Sequence, residues 1–411
     1  MVVYQSGSVA GVVALLGTLK DFAVARGATN NNYSADGAGQ RHHMKLGSGF
    51  FNFKALVNES IPSGASGLYG ITAYGSTGYN GGAVWNDQPG GPKYSTNQFP
   101  FAGIHGLGNT GTPSPTLNYH LFYVDRPNQP KVLNVTGATN ASPIVITANR
   151  HRLATGDRVV IASVGGNTAA NGTWTITRID ADTFSLDGST GNGAYTSGGT
   201  ITLLSEVIYL VVEYTSGYFQ HLMFGQLDRS ESGEVAGAWF VTGQHKSSEN
   251  NNRHQTVNFF GFTPPILGGF VPRPDGMVYA TVDGITGWKI SRDDGNRFPV
   301  NGNQFAGDGV RKFCDIVNCA PNAINSQSVG LPIPVFVTRD GTNQHNNATP
   351  WTILGYMPEI YYCNIRNLVP ASQYPIGSTQ YRVFPFFRKS DGAYSQVGDH
   401  TQHLGFFIRE S

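Results

Sequence analysis

Punctuation constrains this chain more than any other property. Its aromatic and β-branched runs, among them Gly49 to Val57, Leu68 to Tyr74, Asn118 to Val124 and Val207 to Tyr214, are short and stop at Gly, Asn or Pro. Runs of that length and composition suit strands, because branched and ring side chains pack well on a pleated surface. The 53 glycines supply the tight turns that many short strands need. The sequence therefore predicts a mainly β protein.

One segment departs from that texture. Val9, Val12, Val13, Leu16, Leu19, Phe22 and Ala23 recur at helical spacing, with Gly27 placed to stop the helix. Lys20, Asp21 and Arg26 interrupt this apolar stretch and no basic region precedes it, so it reads as a single N-terminal helix and as neither a signal peptide nor a membrane span. Beyond Asp228, clusters such as Phe259-Phe260-Gly261-Phe262-Thr263-Pro264-Pro265 predict short strands and long ordered loops.

The stretch from Lys131 to Leu204 is Thr- and Val-rich, with turn signals at Thr155-Gly156-Asp157, Asn171-Gly172 and Asp187-Gly188. It reads as a small β-domain (131–204) inserted into a discontinuous β-rich body (1–130 plus 205–411). Tyr119 to Val124 and Val207 to Val212 are expected to pair as a hairpin whose loop holds the insert. Attached by two adjacent strands, the insert is expected to project and to touch the body little.

Charge narrows the partners. Lys and Arg number 27 against 26 Asp and Glu, a formal charge of +1, which is too little to neutralise a phosphate backbone, so no nucleic-acid partner is expected. Charged residues are only 13% of the chain, and a sparsely charged, near-neutral surface favours association, so the chain is expected to work inside an assembly. Cys314, Cys319 and Cys363 are odd in number and lack paired zinc spacing, so they read as reduced, buried thiols.

Candidate sites divide by how well the sequence around them supports the chemistry. Gly106-Leu107-Gly108-Asn109-Thr110-Gly111 has dinucleotide-binding spacing, but Thr112-Pro113-Ser114-Pro115 follows where a helix is required, so it reads as a turn and no cofactor is expected. Asp180, Asp182 and Asp187 lack the spacing of a calcium loop and read as hairpin-end residues. His42 and His43 are adjacent, which on a strand sends them to opposite faces and leaves no shared metal. No nucleophile elbow, phosphate loop or zinc-protease motif occurs, so no catalytic residue is nominated and the chain reads as no enzyme. Tyr74, Tyr79, Trp85 and Tyr94 in a Gly-rich segment, with Trp174, are the candidates for stacking on glycan or contacting a partner. The plainer reading has the first four pinning loops and Trp174 filling a small core.

Two sets of residues carry a family resemblance. Leu153-Ala154-Thr155-Gly156-Asp157, Ala169-Ala170-Asn171-Gly172-Thr173-Trp174, Asp182-Thr183-Phe184-Ser185-Leu186-Asp187-Gly188 and Ala194-Tyr195-Thr196-Ser197-Gly198-Gly199-Thr200 together resemble a small β-module common in phage tail proteins. Gly217 to Leu227, Pro358-Glu359-Ile360, Ile365-Arg366-Asn367-Leu368, Tyr381 to Lys389 and Leu404-Gly405-Phe406-Phe407 resemble a family of tailed-bacteriophage virion structural proteins, whose members lack the insert. The resemblance implies a structural component of the tail, tail tip or baseplate, assembled in the host bacterial cytoplasm with other virion proteins and copies of itself. It leaves as alternatives a receptor- or glycan-binding fibre or anchor protein and a capsid decoration protein, and it transfers no site residues.

Overall fold

The computed structural model describes residues 1–59, 67–91, 102–105, 107, 116–127, 132–229, 238–243, 275–282, 285–292, 305–306, 330–338, 351–385, 388–389 and 404–411. Among the described residues the chain is β-rich with one α-helix, Gly11–Val24, and the strands pair antiparallel apart from one two-residue parallel contact. The helix begins later than its apolar pattern. Val9 belongs to the preceding strand, Val2–Ala10, while Val12, Leu15, Leu16, Leu19, Phe22 and Ala23 form the buried face. Among the described residues no helix is long and apolar enough to cross a membrane.

A central sheet organises the body. Its strands lie in the order Val2–Ala10, Thr116–Pro127, Thr200–Thr215, Tyr218–Gln226, Trp239–Gly243, Asp275–Val282 and Ile285–Arg292. Tyr119 to Val124 and Val207 to Val212 do pair, Val124 opposite Val207 and Tyr119 opposite Val212. These runs are apolar at consecutive positions because the sheet is covered on both sides, so both side-chain parities must be buried.

On one side, Leu121, Tyr123, Ile208, Leu210 and Phe224 pack with the helix and a five-stranded meander, Thr29–Asp36, Gly39–Leu46, Gly49–Glu59, Leu68–Ser76 and Ala102–His105. On the other side, Phe122, Val124, Val207, Tyr209 and Met223 meet Ile360, Tyr362, Phe384, Phe406 and Ile408 of a six-stranded outer sheet. One strand of that sheet, Trp351–Asn364, runs 14 residues, longer than the Gly- and Pro-rich sequence past Asp228 suggests. Its partner Leu331–Thr338 keeps pairing by shifting register at Pro332 and Val335 instead of stopping.

Residues 133–203 gather around a hydrophobic cluster of their own. Ile144, Ile146, Val159, Ile161, Ile176, Phe184, Leu186 and Ile201 are each almost fully buried there. The turn glycines fall where the sequence places them: Gly156, Gly172 and Gly188 all have positive φ. The boundary at 204/205 is different, because it falls inside a single strand. Thr200–Thr215 is 16 residues long; Thr200 to Leu203 pair with Arg158–Ala162, and Leu204 to Glu213 pair with Thr116–Pro127. A shared strand leaves no linker there for the two parts to swing on.

Candidate functional site at the junction of the small β unit and the body

Where the shared strand passes from one core to the other, charge is buried. Asp125 and Glu206 stand directly opposite each other on the paired strands. Two like charges in that position repel unless a cation lies between them. Arg158, first residue of its strand in the small unit, fills that role. Its Nη1 donates to Asp125 Oδ2 at 2.9 Å, Glu206 Oε1 at 2.9 Å and Tyr123 Oη at 3.0 Å. Tyr123 donates in turn to Glu206 Oε1 at 2.7 Å.

The electrostatics follow from burial. Loss of water pushes the Glu206 carboxyl above its usual range, against the pull of Arg158 and the Tyr123 hydroxyl. Burial, then the nearby carboxylates, pushes the Tyr123 phenol up. Burial works against the Arg158 charge, yet Glu206, Tyr123 and Asp125 together hold the guanidinium above its ordinary value. One guanidinium nitrogen thus bridges two acids and a phenol, an arrangement suited to holding the two strands and the small unit together.

A second contact lies beside the first. Asp157, in the Thr155-Gly156-Asp157 turn, accepts from Ser48 Oγ at 2.6 Å and from the Ala154 amide at 2.9 Å. Ser48 itself accepts the Trp239 indole N–H at 2.9 Å. The chain Trp239, Ser48, Asp157 therefore ties the central sheet, the meander hairpin and the small unit at one corner. Burial raises the Asp157 carboxyl, and the Ala154 amide, Ser48 and Lys45 oppose that rise. Two glycines permit the approach. At Gly47, with φ +54, a Cβ would come within 2.8 Å of the Trp239 ring; at Gly156, with φ +97, it would come within 2.7 Å of the Gly47 carbonyl oxygen.

These contacts correct the expectation that the insert touches the body little. Sequence reasoning read Thr155-Gly156-Asp157 only as a turn and missed Asp125, Arg158 and Glu206 altogether. A signal was present: an acid immediately follows the Tyr119 to Val124 run and another immediately precedes its expected partner Val207 to Val212.

Of the described aromatic candidates, Tyr74 and Trp85 are in ring contact, whereas Trp174 belongs to the separate core of the small unit. Tyr74 is fully buried; its hydroxyl donates to the Trp85 carbonyl at 2.5 Å and accepts the Gln88 amide at 3.2 Å, with the Trp85 ring edge-on at 5.8 Å. Tyr79 is half-buried, tilted over His43 at 5.3 Å, and its hydroxyl accepts from Asn32 at 3.2 Å. Gln88 holds the loop closed through Asn80 and Val84. These three rings thus pin the loop over the meander. Tyr94 lies outside the described residues.

Trp174 is not the central core residue expected of it. It sits half-buried at the edge of the cluster, with Nε1 donating to the Ala170 carbonyl at 2.9 Å, because branched aliphatics and Phe184 already fill the middle.

The remaining candidates are structural. Asp180 Oδ1 accepts the Asp182 and Thr183 amides at 2.8 and 2.7 Å and closes that turn, while Asp182 accepts the Arg150 amide at 2.6 Å and Asp187 accepts the Thr177 hydroxyl at 2.9 Å, each tying together segments apart in sequence. Among the described residues no group of three or more His, Cys, Asp or Glu is placed to hold a metal ion. His42 stacks on Phe53 inside the body core, while His43 bonds Asn52 on the other face of the same sheet. Cys363 is a buried free thiol, pushed up by desolvation; Cys314, Cys319 and all of Gly106 to Gly111 except Leu107 lie outside the described residues.

Comparison with known proteins adds one local match. Residues 143–204 fit the family model of the ubiquitin-activating enzyme E1 FCCH domain, a segment that takes in most of the small unit's core and both Asp157 and Arg158. No curated protein matches the chain. What the chain is similar to is therefore known for the small β unit, over less than half of its length.

Proposed function

We propose that this chain is a structural component of a tailed-phage virion, placed in the tail, tail tip or baseplate and assembled there with neighbouring virion proteins and copies of itself. The observation that carries the reading is the junction. A small module with its own core is held to a three-layered body by a shared strand, the Arg158 clamp and the Asp157–Ser48–Trp239 chain. That construction presents one module at a fixed angle on another, as a particle with defined geometry requires. The resemblance of Gly217 to Leu227, Tyr381 to Lys389 and the 153–200 segment to phage virion proteins supports it, as does the scarcity of charge.

In this reading the module is an insertion into a virion body and the chain is a scaffold, not a catalyst. Quantitative mass spectrometry of gradient-purified particles tests it. The chain should be present at the copy number of a tail ring. Capsid-lattice stoichiometry would make it a head decoration protein, and absence from particles would refute virion membership.

A further inference from the structure

Sheet edges expose unpaired backbone amides and carbonyls, and natural proteins blunt them with proline, charge, bulges or shortness. Among the described strands, nearly every edge here is blunted in this way. Gln373–Ile376 contains Pro375, Leu331–Thr338 contains Pro332 and Pro334, and Thr29–Asp36 carries a bulge at Asn30 to Asn32 and ends on a carboxylate. Ala102–His105 has four residues, and Gly137–Ala138 and Phe305–Ala306 have two each.

Val2–Ala10 differs on every count. It is nine residues long, free of proline and charge, and pairs without a register shift. Its one partner among the described strands is Thr116–Pro127. Ser6, Gly7 and Ser8 are exposed, while Val2 and Tyr4 pack into one body core and Val3 and Val9 into the other, so the strand is held rigid at the rim of the central sheet.

We propose that this edge is where the chain joins a second copy of itself, by antiparallel pairing of Val2–Ala10 with the same strand about a two-fold axis at Ser6. The inference rests on the assembly reading above and gives it a partner and a place. A two-fold pairing centred on Ser6 sets Val2 opposite Ala10, Val3 opposite Val9, Tyr4 opposite Ser8 and Gln5 opposite Gly7. No like charges meet in that register, and apolar residues meet apolar ones at both ends. The formal charge of +1 opposes no such approach. Pairing of this kind would fuse two central sheets into one continuous sheet.

Sedimentation velocity on the full chain at micromolar concentrations tests the inference, with two variants. The natural sequence should sediment as a dimer. Ser6→Lys puts two ammonium groups across the axis and should weaken the dimer at least tenfold. Ser6→Cys should form a disulfide-linked dimer with diamide as oxidant, whereas Ser8→Cys, which faces Tyr4, should not; this pair carries the test if Ser6→Lys fails to fold. A dimer indifferent to both Ser6 variants would overturn the inference. So would a monomer. A monomer still found in particles, but lost from them on Ser6→Lys, would assign the edge to another virion protein and leave the assembly reading standing. A monomer absent from particles would sink both.

Discussion

The core of residues 133–203 is aliphatic around the fully buried Phe184 ring, with the buried His151 ring edge-on to it, and several of its buried polar groups are answered nearby. Asn167 bonds Thr139 and Asn192, Ser189 bonds Leu186 and Ile144, and His151 accepts the Leu153 amide. The two cores flanking the central sheet are aromatic and long-range, with Phe51, Phe53, Phe224, Trp239 and Trp288 in one and Phe122, Phe384 and Phe406 in the other. Buried polar atoms lacking a partner among the described residues, including both His42 ring nitrogens, Asp125 Oδ1 and Ser205 Oγ, belong to the body. Apart from Asp157 and Arg158, which bond to the body, the small unit's buried polar groups named above are answered within it, whereas the body carries two buried acids that Arg158 of the small unit neutralises. The body therefore depends on the module at this junction.

Removing the module should expose that dependence most strongly. Deleting residues 131–204 leaves Asp125 and Glu206 opposed without a cation, and the body should fail to fold stably. The same deletion with Asp125→Asn and Glu206→Gln should recover a cooperative unfolding transition by circular dichroism. If the simple deletion is as stable as the neutralised one, the junction does not support the body.

Within the intact chain, Arg158→Met should destabilise by about 3 kcal/mol, the low end for breaking a buried ion pair, because the Arg158 side chain keeps 27% exposure. Adding Glu206→Gln should restore much of that loss, and a denaturant double-mutant cycle measures the coupling.

The body's orphaned histidine gives a smaller effect with a definite sign. Desolvation, with His43 and Lys20 adding to it, lowers His42 to about 3, and desolvation lowers His120 to about 4. Both are neutral in the fold and take up protons more readily once unfolded. Stability is complete above the unfolded value of about 6.5 and falls by at most about 1.4 kcal/mol per pH unit for each group as pH drops toward the folded values. His42→Leu should flatten this slope below pH 6 and raise stability at pH 7 by about 1–2 kcal/mol, since an unpartnered buried polar group is removed. An unchanged slope would mean that His42 is protonated in the fold.

Least affected should be Trp174→Ala, costing the small unit about 1 kcal/mol because the ring is only half-buried. A phage adsorption defect without such a loss would revive Trp174 as a glycan contact.

The difference between the regions also sets how much the sequence reveals. The β class, the helix face from Val12 to Ala23, the Tyr119–Val124 pairing with Val207–Val212 and the turns at Gly156, Gly172 and Gly188 are local signals, each written in spacing or turn chemistry. Val9 was misleading because an apolar residue near the end of a strand fits the helical period as well as one inside the helix. The junction was hidden because Arg158 is separated in sequence from Asp125 and Glu206, and only strand pairing makes those acids neighbours. Trp174 was misplaced because composition says that a small core needs bulk without saying which residue supplies it.

The most direct test of the account is a cryo-electron microscopy map of the tailed-phage particle proposed to carry this chain. The account predicts density for the chain in the tail, its three-layered body in contact with neighbouring subunits and residues 133–203 held at one fixed angle in every copy by the Arg158 junction. A particle without the chain, or with the small unit at variable angles to the body, would contradict it.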